Sequence, residues 1–182
     1  MDEDSKWIIS TGKWNEQKNF LLSINTFIRL KKYHNDLQLL LVGSFSDYDY
    51  FSKSLELIYS SGYDKSIHIL GYRYDLLRLI YASDISLLPA IDEGHGRTLV
   101  ESMFLRTPAI SVDSGGFREL LNDFCPYMLV KPNSYLVSSA ISKLLADESL
   151  REDLVNKSFK YVSNRFNVDE HFRRIISIYT SL

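Results

Sequence analysis

Short, nearly continuous apolar runs recur along this chain, most of them closed by a glycine or proline, and helical patterns fill the gaps between them. Trp7-Ile8-Ile9-Ser10-Thr11-Gly12, Leu37 to Val42 closed by Gly43, and Ile67-His68-Ile69-Leu70-Gly71 are the first three. Ile85-Ser86-Leu87-Leu88-Pro89, Ala109-Ile110-Ser111-Val112 and Tyr127-Met128-Leu129-Val130 follow. Each reads as a buried strand. Strands that are apolar on both faces need cover on both faces, which is how parallel sheets are built. Apolar spacing predicts helices over 19–32, 48–61, 74–82, 97–105 and 117–121. In the second of these Leu55, Ile58 and Tyr59 are expected on the buried stripe, with Gly62 as the stop. From Ser134 the pattern is helical almost to the end, with breaks near Asp147 and Asn167. Right-handed crossovers then give an α/β fold, a doubly wound six-stranded parallel sheet with helices on both faces and a helical C-terminus.

Composition narrows the function classes. Of the 182 residues, 45% are hydrophobic and 24% charged, enough apolar material for one sizeable core. Lys plus Arg is 21 and Asp plus Glu is 23, so the net charge is −2 and no fold-wide attraction to nucleic acid or anionic lipid is expected. One cysteine, Cys125, allows no intrachain disulfide and no cysteine-based metal site. The four histidines, His34, His68, His95 and His171, lack ligand spacing, so no metal is expected. No run approaches the ~20 apolar residues of a membrane helix. The acidic start, Met1-Asp2-Glu3-Asp4-Ser5-Lys6, is followed by no apolar h-region, so it is not read as a signal peptide. A cytoplasmic location is the expectation.

In doubly wound sheets ligands bind beyond the carboxyl ends of the strands. The informative loop follows the fourth strand and reads Asp92-Glu93-Gly94-His95-Gly96-Arg97-Thr98-Leu99-Val100-Glu101. Two glycines one residue apart allow a tight turn and close approach to a ligand. A helix beginning near Arg97 points free N–H groups and its positive dipole end at that loop, where a phosphate is stabilised. Glu101, one turn on and on the face of Arg97, can accept hydrogen bonds from a vicinal diol such as a ribose. A Gly-rich turn capping an amphipathic helix, with Glu93 and Glu101 solvated, accounts for the same spacing.

Seven residues separate Glu93 and Glu101, in Glu-Gly-His-Gly-Arg-Thr-Leu-Val-Glu-Ser-Met, followed by Thr107-Pro108-Ala109-Ile110 and Ser114-Gly115-Gly116-Phe117-Arg118-Glu119. This resembles the E-x7-E signature of retaining glycosyltransferases of the GT-B fold, the glycosyltransferase family 4 group, and the resemblance covers nearly the whole chain. Gly12-Lys13-Trp14-Asn15-Glu16-Gln17-Lys18-Asn19 is similar to the family's first donor loop, where an Arg and a Lys hold the donor diphosphate. Lys18 matches the Lys. Lys13 stands at the Arg position, which keeps the charge and loses the bidentate fork. His95 stands where the family usually carries an aromatic residue.

The resemblance implies a single Rossmann-like, nucleotide-sugar-binding domain over residues 1–182, the C-terminal half of a two-domain enzyme whose N-terminal acceptor half is absent. The segment from Asn167 to Leu182 resembles the one that crosses back to that half. Lys18, with Lys13, would neutralise the diphosphate, so that no metal or other cofactor is required. Lys18 and Glu93 are then the catalytic candidates, with Glu93 against the donor sugar. Gly12 and the backbone of Gly94, His95, Gly96, Arg97, Thr98 and Leu99 would face sugar and phosphate. Glu101 would hold the ribose, and Tyr72 and Arg73 the base. The expected partners are a nucleoside diphosphate sugar and the acceptor half or a partner chain, with no nucleic acid. The expected context is bacterial polysaccharide or glycoconjugate synthesis, with peripheral membrane association at the inner face through the missing half. Alone, the domain is expected to bind donor without turnover.

Other classes fit less well. A dinucleotide-binding oxidoreductase needs G-x-G-x-x-G after the first strand, where this chain has only Gly12. A phosphoacceptor receiver domain has five strands and an acidic cluster after the first, whereas Ser-Thr-Gly-Lys is cationic. A noncatalytic nucleotide-binding or scaffold chain of a split enzyme stays open, as does a GT-B sugar-nucleotide epimerase.

Overall fold

The computed structural model describes residues 5–122 and 124–180. Most of the acidic start (Met1–Asp4) and the last two residues of the expected terminal helix lie outside them. The strands are β1 (Lys6–Thr11), β2 (Leu37–Val42), β3 (Ile67–Gly71), β4 (Ile85–Leu88), β5 (Ala109–Val112) and β6 (Leu129–Val130). The helices are α1 (Phe20–Lys31), α2 (Tyr48–Ser61), α3 (Leu76–Tyr81), α4 (Arg97–Phe104), α5 (Gly115–Leu121), α6 (Ser134–Ala146), α7 (Glu148–Arg165) and α8 (Val168–Thr180).

The six strands form one sheet in the order β3-β2-β1-β4-β5-β6, with every pair parallel. Ile8 lies opposite both Leu39 of β2 and Ile85 of β4. Successive residues serve opposite faces. Ile8, Leu39 and Leu41 join the main core with Ile24 and Phe27 of α1 and Val137 and Ile141 of α6. Ile9, Leu40 and Val42 pack against Ile80 of α3 on the other side. The sheet is therefore doubly wound. Chain order reverses between β1 and β4, and the crevice outside their carboxyl ends is where such sheets hold ligands.

Local chemistry sets the element ends. Lys31, in the last turn of α1, donates from Nζ to the carbonyls of Asn35 and Leu37, which ties the helix end to the start of β2. Asp47 caps α2 by accepting from the Tyr50 N–H. The buried row of α2 is Tyr50, Ser54 and Ile58 rather than the expected stripe through Leu55 and Tyr59, and Tyr59 is 68% exposed. The reason is polar: the Tyr50 hydroxyl accepts from Leu21 N–H, and Ser54 Oγ donates to the Tyr50 carbonyl. The sixth strand is also shorter than its apolar run. Pro126–Met128 form a 3₁₀ turn, because Pro126 fixes its φ and has no N–H for the ladder. The breaks at Asp147 and Asn167 fall between α6, α7 and α8 as expected. Among the described residues no helix is long and apolar enough to cross a membrane. α8 leaves Phe172, Ile176 and Tyr179 exposed.

Candidate functional site

The loops after β1 and β4 meet at the topological reversal, and three contacts join them. Ile91 N–H donates to the Gln17 carbonyl over 3.0 Å, Gln17 Nε2 donates to the Asp92 carbonyl, and Lys18 Nζ donates to Glu93 Oε2 over 2.6 Å. Asn15 Oδ1 accepts from Lys18 N–H and shapes the first loop. On the other side of the Glu93 loop, Ser114 Oγ donates to the Ala90 carbonyl and Gly116 N–H to the Glu93 carbonyl, over 2.6 and 2.7 Å.

Lys18 and Glu93, the two catalytic candidates, are thus an ion pair, with side chains 27% and 16% exposed. Burial alone pushes the Glu93 carboxyl up. The Lys18 ammonium, with the Gly96 and His95 N–H groups, outweighs that and holds it below its usual range. Glu93 Oε1 also accepts from Gly96 N–H at 3.2 Å.

Gly96 precedes the first turn of α4. Leu99 N–H donates to the Gly96 carbonyl and the Leu99 side chain is fully buried, so this residue offers nothing outward. The Arg97 and Thr98 N–H groups have no acceptor among the described residues and are the open donors of the helix end. His95 is exposed. Glu101 is half-buried, and burial raises its carboxyl against the opposing pull of Arg97.

A cavity of about 290 Å³ opens beside these groups, lined by Gly12, Lys13, Lys18, Tyr72, Arg73 and Thr98 from three separate loops or helix ends. Glu93, Gly94, His95, Gly96, Arg97, Leu99 and Glu101 do not line it. Lys13 is exposed and free of ion pairs among the described residues. Arg73 is gripped by Asp75, Nε to Oδ1 and Nη2 to Oδ2, both 2.8 Å. Tyr72 is 66% exposed, with its ring edge-on to Tyr74 at 5.1 Å. Among the described residues no three His, Cys, Asp or Glu side chains gather as a metal site.

Several contributors carry no motif. Thr11, Val42, Ser44 and Leu76 line the cavity, and Gln17 bridges the loops. Two glycines are structural requirements. A Cβ on Gly43 would lie 1.5 Å from the Gly12 carbonyl oxygen, and one on Gly115 (φ 28°) 2.2 Å from the Glu93 carbonyl oxygen. Gly115 and Gly116 stood in the sequence as a motif without a role; they let α5 abut the Glu93 loop.

The family model for glycosyl transferases group 1 matches residues 1–161. An uncharacterized glycosyltransferase of Methanocaldococcus jannaschii, MJ1607, is 26% identical over 98% of this chain and 46% of its own length. A Campylobacter jejuni 4-alpha-N-acetylgalactosaminyltransferase acting, by its name, on a diphospho-undecaprenol substrate is 26% identical over 84% of this chain and 41% of its own length. In structure, Anabaena HepE in complex with UDP superposes with a TM-score of 0.90 at 21% identity, over 98% of this chain and 50% of that one. The chain spans under half the length of these two relatives. It belongs to the group 1 glycosyl transferases and has the Rossmann-like fold of a GT-B C-terminal domain.

Proposed function

We propose that this member of the group 1 glycosyl transferases is the donor-side domain of a retaining enzyme and takes a nucleoside diphosphate sugar in the cleft outside β1 and β4. The observation that carries the reading is the cavity that gathers Gly12, Lys13, Lys18, Tyr72, Arg73 and Thr98 from separate parts of the chain. Lys18, Lys13 and the open N–H groups of Arg97 and Thr98 hold the diphosphate. They oppose the negative charge that grows on it as the sugar departs, a preorganised electrostatic role that needs no metal. Glu93, within reach of Lys18, meets the sugar. Glu101, on the α4 face beyond, takes the ribose hydroxyls, and Tyr72 and Arg73 take the base.

The acceptor side is supplied by further polypeptide, on this chain or another. The exposed Phe172, Ile176 and Tyr179 of α8 are apolar surface suited to docking against it. The acceptor belongs to polysaccharide or glycoconjugate synthesis at the inner membrane face; the name of the Campylobacter relative, with its diphospho-undecaprenol substrate, supports the glycoconjugate part of this reading.

The test is a thermal-shift panel of UDP-, GDP- and ADP-sugars in EDTA, then with magnesium or manganese. UDP comes first because HepE was solved with it. A ligand at ~100 times its Kd adds about 2.7 kcal/mol, or roughly 5–11 °C for a domain of this size. Binding that disappears in EDTA and returns with metal refutes the metal-independent reading. No shift with any of the three refutes donor binding.

A further inference from the structure

The geometry points to Gln17 as the positioning residue that holds the Glu93 carboxylate against Lys18, and through it sets how the site receives the sugar rather than the nucleotide. The second clause rests on the donor-site reading; the first does not.

Three observations converge. Gln17 is the one side chain of the first loop whose amide reaches the Glu93 loop, donating from Nε2 to the Asp92 carbonyl immediately before Glu93. Its own carbonyl accepts from Ile91 N–H at 3.0 Å, so one residue grips the peptide chain at two successive positions ahead of the carboxylate. Lys18 then meets Glu93 at 2.6 Å, which makes the rungs 17–91, 17–92 and 18–93 run in register across the crevice.

Gln17 is exposed and does not line the 290 Å³ cavity. Core packing therefore does not call for a glutamine here, and direct contact with a ligand in that cavity does not either. What an amide supplies that Glu, Met or Ala cannot is a neutral side-chain N–H donor for a backbone carbonyl. The opposite side of the Glu93 loop is fixed by Ser114 and Gly116. Without Gln17 the loop keeps that one anchor, and its Lys18-facing side is held by the ion pair and a single backbone bond. Small displacements at such a carboxylate are costly, because its hydrogen bonds to lysine and to ligand depend on sub-ångström placement.

The decisive experiment follows Glu93 itself in the 182-residue chain. The side-chain carboxyl of Glu93 is titrated by ¹³C NMR in the wild type, Gln17→Ala and Gln17→Met, with Glu16→Ala as a neighbouring control. If Gln17 positions Glu93, both Gln17 variants move the Glu93 midpoint up towards the ordinary carboxylate value, and Glu16→Ala leaves it in place. An unchanged midpoint in folded Gln17→Ala and Gln17→Met overturns the inference. The Met variant keeps the length and apolar stem of the side chain, so a result survives even if alanine loosens the loop.

A second arm compares Kd for UDP with Kd for UDP-glucose. Gln17→Ala is expected to keep UDP affinity within about 2-fold and to abolish any additional affinity that the sugar brings, as Glu93→Ala does. The double variant should behave like Glu93→Ala alone. Equal weakening of both ligands by Gln17→Ala, or additive losses in the double variant, overturns the sugar-specific role. Failure of the wild type to bind any nucleoside diphosphate overturns the donor-site reading and the sugar-specific role with it, while the titration still decides whether Gln17 positions Glu93.

Discussion

Lys18 and Glu93 lie 75 positions apart in sequence, yet their ammonium and carboxylate are 2.6 Å apart at the point where the sheet reverses its chain order. The pair couples the two loops that flank the crevice. On the donor-site reading, a diphosphate drawn to Lys18 meets a charge that already has a partner.

Lys18→Ala should lower nucleoside diphosphate affinity by about 5- to 30-fold, equivalent to roughly 1–2 kcal/mol for one partly exposed charged hydrogen bond. The remaining binding should be less sensitive to salt. The same variant leaves Glu93 half-buried without its ammonium and should cost about 1 kcal/mol of stability at neutral pH. Because the folded-state pKa of Glu93 is depressed, this contribution is present above the unfolded carboxylate value and lost as pH falls through the folded one. The stability gap between wild type and variant should be full at neutral pH and close as pH falls through the depressed folded-state value of Glu93. Denaturant midpoints from pH 3 to 7 check it, and a gap independent of pH would count against the pair.

Glu101→Ala should weaken nucleotide binding by about 2–3 kcal/mol, or 30- to 150-fold, with a smaller loss for Glu101→Gln. A 2′,3′-dideoxy nucleotide should bind wild type and Glu101→Ala almost equally. If the alanine variant still distinguishes ribose from dideoxyribose as wild type does, the ribose role is wrong.

Stability should move the other way at Glu101. Its carboxyl is raised by burial, so the fold favours the protonated form and loses that contribution as pH rises through the folded pKa. At pH 7 Glu101→Gln is expected to be neutral or stabilising by up to about 1 kcal/mol, the pattern of a site kept for binding at the expense of stability. Thermal melts at pH 4 and pH 7 read this directly, and destabilisation at pH 7 contradicts it.

How much of this was legible in the sequence depends on range. The strands announce themselves because a parallel strand covered on both faces must be apolar at nearly every position, and five of the six runs became strands almost at their expected bounds. The sixth misleads because Tyr127 and Met128 are apolar but follow Pro126, and the proline diverts them into a 3₁₀ turn. Tyr59 misleads for a related reason: hydrophobicity ranks it for burial, while a Tyr50–Leu21 hydrogen bond selects the row. At the site, Gly96 and the start of α4 were readable from local spacing. The Lys18–Glu93 pair, the Gln17 bridge and the abutment of Gly115 were not, since no local pattern encodes which residues 20 to 75 positions apart come to touch.

Gly43→Ala should be the more damaging of two glycine substitutions, because its Cβ would fall inside the Gly12 carbonyl, backbone against backbone. Gly115→Ala combines a positive φ with a Cβ 2.2 Å from the Glu93 carbonyl oxygen and should cost about 2–4 kcal/mol. Urea melts measure both. A Gly43→Ala protein as stable as wild type would mean that the β1 and β2 loop ends can part without cost.

On the donor-domain reading, the 182-residue chain by itself should bind donor and transfer nothing, because a donor domain without an acceptor side neither excludes water nor orients an acceptor. Sustained sugar transfer by the purified chain without any partner would refute this.

The strand order β3-β2-β1-β4-β5-β6 also makes the site a seam. Lys13, Lys18, Tyr72 and Arg73 belong to the half of the sheet built first, and Glu93, Thr98 and Glu101 to the half built afterwards. Among the described residues, β1 and β4 are the strands that join the two halves. A nascent or truncated chain that stops before β4 carries the cations without the carboxylates and cannot form this site. A ligand gripped from both sides acts as a rivet across that join and strengthens it in proportion to its affinity.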